Sequence, residues 1–222
     1  MKVNLINDIK KQYADALSEG KVEPDALFRR CIINWKKHFN LDDLQLAPTL
    51  ENSLKNEVSG RYWGGEQHSI KSSLIALAKH NPELFWAAMK DLLNEDKMMI
   101  MRASRFIHHC DMIFQDFRKD HKKVNTHRQD YYSVSLLLSL ENPEKYCLFE
   151  YKVFEVFCKR IEVNQVPTNT DLERYYKIIR GVYNVISRDE DFMNLYYSKL
   201  EPGIYYGPSL DLVSDLMHFS KY

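Results

Sequence analysis

Apolar positions recur every three to four residues along most of this chain, the spacing of helices that bury one face. Residues 3–19 and 24–39 both carry it. In the second, Pro24 suits a first helical turn, and Leu27, Phe28, Cys31, Ile32, Trp35 and Phe39 fall on one side. The stretch LDDLQLAPTLENSLKNEVSGRYWGGE is less regular, and Gly60, Gly64 and Gly65 predict a loop around Tyr62 and Trp63. We place a domain boundary there: an N-terminal helical segment over 1–60 and a main helical domain over 61–222.

From Gln67 the helical pattern strengthens. Ile70, Leu74, Leu77 and Ala78 make one stripe. Asn81-Pro82-Glu83 then supplies a cap, a first-turn proline and a favourable N-terminal charge for a helix carrying Phe85, Ala88, Met89 and Leu92. Ala103, Phe106, Ile107, Cys110, Ile113, Phe114 and Phe117 keep the period over four more turns. The polar run 118–130 separates this helix from one bearing Val134, Leu137 and Leu138. Asn142-Pro143-Glu144 repeats the capping pattern, and 151–161 puts Val153, Val156, Phe157 and Ile161 opposite Lys152, Glu155 and Lys159. Asp171 precedes a helix with Leu172, Tyr175, Ile179, Val182 and Ile186, and a last short helix begins near Ser209. The expectation is an all-α, irregular multi-helix fold of about ten helices with no substantial sheet. Only 7 Gly and 7 Pro in 222 residues agree, because a β-sandwich or barrel needs many turns.

The charge balance narrows the function. With 31 basic and 31 acidic residues the chain is neutral, so binding of nucleic acid by bulk charge is excluded and only a local patch is left. Cys31, Cys110, Cys147 and Cys158 are far apart within apolar patterns, which points to buried thiols in a reducing compartment. The amphipathic N-terminus lacks the apolar core of a secretory signal. The longest apolar stretch, 134–140, is far short of the ~20 residues that span a bilayer. A cytoplasmic location is expected, with no membrane partner.

Chemistry is sparse. Glu150 and Lys152 have the Glu-x-Lys spacing of metal-dependent nucleases of the PD-(D/E)xK type, with Asp116 or Asp130 as the upstream acid. That chemistry needs a sheet to aim both side chains at one point, whereas the neighbouring segments read as helix. His108, His109 and Cys110 are consecutive, so on a helix they point about 100° apart and cannot share one ion. No zinc pattern, phosphate-binding glycine loop or nucleophile elbow is present. We therefore expect no enzyme activity, no metal and no cofactor. The remaining feature is a basic segment in which Arg118, Lys119, Lys122, Lys123 and Arg128 crowd eleven residues, followed by Tyr131 and Tyr132. Such cations can contact phosphates, and the adjacent rings can stack on an exposed base.

The runs NPELFWAAMKDLLNED, MRASRFIHHCDMI and HRQDYYSVSLLLSLENPEKYCLFEYKVFEVFCKRI together resemble the helical N-terminal region of McrB-like AAA+ restriction proteins. The matching residues are Pro143, Tyr146, Tyr151, Lys152, Phe154 and Phe157, and SLDLVSDLMHF is similar to the last helix before the motor; the likeness covers about 66–219. The position of Glu150 is not reliably acidic in that family, which argues against a catalytic Glu-x-Lys. The resemblance implies a DNA-recognition or targeting module of a phage-restriction system, acting on DNA with or without modified bases. Its partners would be an AAA+ motor or a nuclease subunit. The alternative is a protein–protein assembly module of the same kind of system. The chain departs from the family in having no Walker motifs, so the expectation is an excised domain or a free-standing version.

Overall fold

A computed structural model describes residues 1–55, 59–63 and 69–221. Among them there are twelve helices and no strand: α1 (Val3–Ser18), α2 (Ala26–His38), α3 (Leu46–Ser53), α4 (Ser59–Trp63), α5 (Ile70–His80), α6 (Pro82–Leu92), α7 (Met99–Asp120), α8 (Tyr131–Glu141), α9 (Tyr151–Arg160), α10 (Leu172–Ile186), α11 (Glu190–Ser198) and α12 (Asp211–Phe219). The all-α expectation holds. The helices form two compact units, one made of Met1–Arg29 with Asn142–Tyr222, the other of Arg30–Glu141. The boundary expected near residue 60 therefore lies inside the second unit. Gly64 and Gly65, on which it partly rested, lie outside the described residues.

In the first unit α1 packs against α10, α11 and α12, and α12 also meets α9 and α10. α1 inserts Ile6, Ile9, Tyr13 and Leu17, and ends at Gly20, whose φ of 69° is the left-handed conformation that glycine adopts without a Cβ penalty. α10 is the most amphipathic element, burying Leu172, Tyr175, Tyr176, Ile179, Val182 and Ile186. Asp171 starts it, accepting the Arg174 amide at 3.0 Å. Two of its tyrosines hold a non-helical stretch. Tyr175 donates to the Leu148 carbonyl at 2.7 Å and Tyr176 to the Cys147 carbonyl at 2.8 Å. Tyr146, Cys147, Leu148 and Phe149 are buried there.

Two expectations fail in this region. Asn142-Pro143-Glu144 starts no helix: the Lys145 and Tyr146 amides both donate to the Asn142 carbonyl, at 3.0 and 3.1 Å, closing a turn. The buried apolar run that follows is held out of a helix by tertiary bonds, since its carbonyls at Cys147 and Leu148 go to the Tyr176 and Tyr175 hydroxyls. Val156 is 41% exposed on α9, on the side opposite the buried Phe154, Phe157 and Cys158.

In the second unit α6 packs along α7, and α3 against α5. Phe85 and Phe106 meet edge to face at 6.2 Å. Residues 133–140 of α8 are buried on all sides. Its serines enter the core because Ser135 and Ser139 return their hydroxyls to the carbonyls of Tyr132 and Leu136, at 2.7 and 3.0 Å. Trp35 stacks on Phe39 at 3.9 Å and donates to Glu141 Oε2 at 2.7 Å. The irregular stretch contains a helix after all: Pro48 falls in the first turn of α3, where its missing N–H costs nothing. Tyr62 and Trp63 are not loop residues but buried side chains of α4. Asn81 caps α6 as expected, accepting the Leu84 amide at 3.1 Å, with Pro82 in the first turn. Asn81→Ala should cost about 1 kcal/mol, read by urea unfolding followed through tryptophan fluorescence.

Candidate nucleic-acid interface

α7 runs to Asp120, three residues beyond Phe117, the last of its apolar stripe, so Arg118 and Lys119 stand on its last turn. Arg118 lies over the Phe114 ring at 5.8 Å. Lys119 pairs with Asp116 at 2.7 Å, and the same carboxylate takes His80 Nε2 at 2.9 Å. The Lys119 hydrogen bond, then that of His80, holds the Asp116 carboxyl below the usual range, and Asp116 raises Lys119 in turn. Two of the five expected cations are thus engaged on their own helix. The other three are exposed on the following loop, and among the described residues no carboxylate pairs with Lys122, Lys123 or the Arg128 guanidinium.

That loop is pinned by one buried side chain, His127. The Gln129 amide donates to its Nδ1 at 3.0 Å, which leaves the ring hydrogen of the neutral form on Nε2, facing Asp111 Oδ1 at 2.8 Å. Its carbonyl accepts from Ser73 Oγ on α5 and from Gln129 Nε2 at 2.8 Å. The ring meets Phe114 edge-on at 5.3 Å. Between buried His127 and buried Gln129, Arg128 adopts φ 54°, a left-handed conformation that a bulky residue keeps only when its neighbours impose it. The effect is to turn the Arg128 side chain outward.

Beside the loop, α5 and α7 bound an open cleft of about 360 Å³, lined by Ser72, Ala76, Phe114, Phe117, Val124 and Thr126. Phe117 is held on two sides, with His121 stacked on it at 3.9 Å and His80 edge-on at 5.5 Å. Tyr131 and Tyr132 are half-buried on the first turn of α8 and do not line the cleft. The aromatic wall beside the cations is therefore Phe114 and Phe117, residues the sequence pattern assigned to the core.

The remaining candidates are scattered. Glu150 precedes α9 and Lys152 lies within it, exposed, so no strand aims them together; the Glu150 carboxylate binds His218 Nε2 at 2.7 Å. Asp130 accepts the Ser133 amide at 3.0 Å and so caps α8. Among the described residues no three His, Cys, Asp or Glu side chains are placed to hold a metal. All four cysteines are free and buried. Burial pushes Cys147 and Cys158 up to about 12, which suppresses thiolate chemistry. No helix of the described residues is long and apolar enough to cross a membrane. Compared with known proteins, the chain matches no family model, no curated protein and no solved structure.

Proposed function

We propose that the protein is a non-catalytic DNA-recognition module of an McrB-like restriction or anti-phage system, working in the cytoplasm beside an AAA+ motor or nuclease subunit. The observation that carries this reading is the loop of Lys122, Lys123 and Arg128. Its three cations have no carboxylate partner among the described residues, on a backbone pinned by His127 next to an aromatic cleft. The sequence resemblance supports it. Phosphates would meet Lys122, Lys123 and Arg128 first. Arg118 and Lys119 add charge from the end of α7, and Tyr131 or Tyr132 offers a stacking face.

Fluorescence anisotropy against unmodified and cytosine-modified duplexes and single strands, at two salt concentrations, tests the reading. Three phosphate contacts give a log–log salt slope near −3 on duplex DNA. Lys122→Glu with Lys123→Glu should weaken binding at least about tenfold and reduce that slope by about 2, with helicity unchanged by circular dichroism. Equal affinity of the double variant removes the site. No binding even at low salt favours the assembly module instead, for which α7 offers exposed thioethers at Met101 and Met112, with Met98 just ahead of it, a side chain that adapts to varied partners.

A further inference from the structure

The first unit encloses more negative than positive charge. Asp211 and Asp215 lie one turn apart on α12, on the same face. Asp211 is 4% exposed, while Asp215 keeps part of its surface at solvent. Tyr196 of α11 donates to Asp215 Oδ2 at 2.7 Å, and the Asp25 amide, ahead of α2, reaches both carboxylate oxygens at 3.3 and 3.4 Å. Among the described residues of this unit the one enclosed cation is Arg29, fully buried on the first turn of α2. Its Nη1 donates to the Tyr205 carbonyl at 2.7 Å and its guanidinium lies 5.6 Å from the Tyr196 ring. Its Nε and Nη2, Asp211 Oδ2 and the Tyr13 hydroxyl of α1 make no hydrogen bond within the described protein.

The other groups facing this cluster do not rebalance it. Asp25 and Glu150 add negative charge around Asp211, with Glu150 already bound to His218, and the Cys147 thiol next to Asp211 is neutral. Tyr183 of α10 and Tyr205 face Arg29 and stay protonated, both raised by burial. One guanidinium offsets one carboxylate, and a second buried negative charge is costly.

We propose that Asp211 and Asp215 hold one proton between them, and that losing it loosens α12 from the helices on which it packs, making the cluster a pH-sensitive latch on this helix. Burial, the largest cause, raises both carboxyls, Asp215 to about 7, against the opposing hydrogen bond from Tyr196; the two titrate as a pair. Folding therefore takes up a proton. The stabilisation is complete near pH 4 and is lost as pH rises through about 7.

Hydrogen exchange of the α12 amides, corrected for intrinsic rates, tests this at pH 5.5 and 8.5. It is run in a His218→Gln background, which takes the imidazole paired with Glu150 off α12. For a carboxyl moving from 3.8 to about 7, local opening should be about thirtyfold more frequent at the higher pH. Asp215→Asn, which stays neutral, should remove most of that dependence. A ratio within about twofold without the Asn change, or the full ratio retained in both Asp215→Asn and Asp211→Asn, overturns the latch. A carboxyl carbon NMR titration of the unsubstituted chain decides the matter should either Asn variant fail to fold: a side-chain carboxyl on α12 titrating above pH 6 is expected, and none doing so overturns it.

Discussion

Phe154→Ala is expected to destabilise the unit of Met1–Arg29 and Asn142–Tyr222 by about 3–5 kcal/mol. Phe154 has no exposed surface, and its ring centroid is 4.5 Å from that of Tyr175. The usual relief, collapse of neighbours into the cavity, is restricted here. Tyr175 is tied through its hydroxyl to the Leu148 carbonyl and is met edge-on by Phe149 at 4.8 Å and by Tyr176 at 5.0 Å. Moving the Tyr175 ring into the space would break that hydrogen bond and leave a buried carbonyl unpaired, which costs about as much as it gains. Urea unfolding followed by far-ultraviolet circular dichroism measures the loss. Trp35, Trp63 and Trp86 all lie in Arg30–Glu141, so tryptophan fluorescence follows the other unit alone. A loss below about 1 kcal/mol would mean that the ring cluster repacks freely.

The second large effect is expected at Glu95. Arg102, on the first turn of α7, is 1% exposed; its Nη1 donates to the Leu92 carbonyl at the end of α6 at 2.7 Å, and its Nη2 meets Glu95 Oε1 at 2.5 Å. Removing Glu95 leaves a guanidinium enclosed without its counter-ion, for which a loss of about 3 kcal/mol is expected. That is the low end of the range for breaking a buried pair, since Glu95 keeps 26% of its side chain exposed. Glu95→Ala combined with Arg102→Met should be less damaging than Glu95→Ala alone, because the stranded charge is gone. Tryptophan fluorescence in urea reads both variants, and a double variant as unstable as the sum of its parts would refute the argument.

How far the sequence could be read depended on whether a residue's role was local. Asn81 and Asp171 were legible as caps because the hydrogen bond of a cap closes within three residues. The same Asn-Pro-Glu triplet at 142 was misleading, since what decides there is tertiary: hydroxyls of Tyr175 and Tyr176, some thirty residues on, take the carbonyls of 147 and 148. Val156 has the right period but the wrong side. Tyr62 and Trp63 were hidden by the neighbouring glycines. At the candidate interface the cations were plain in the sequence, whereas the cleft was not, because its walls come from α5 and α7 and from a loop whose shape hangs on His127. The division into units was illegible for a simple reason: one of them is discontinuous.

That discontinuity has a bearing on how the protein comes into being. α1 packs on α10, α11 and α12, so during synthesis it leaves the ribosome long before any of its neighbours exist. The intervening 112 residues, 30 to 141, would cost about 4 kcal/mol in loop-closure entropy if they were still unfolded when α1 docked. Folding of Arg30–Glu141 first removes most of that penalty by fixing where the loop's two ends emerge. Until then the Ile6, Ile9, Tyr13 and Leu17 stripe is an exposed apolar surface on a nascent chain, the kind of segment that chaperones bind.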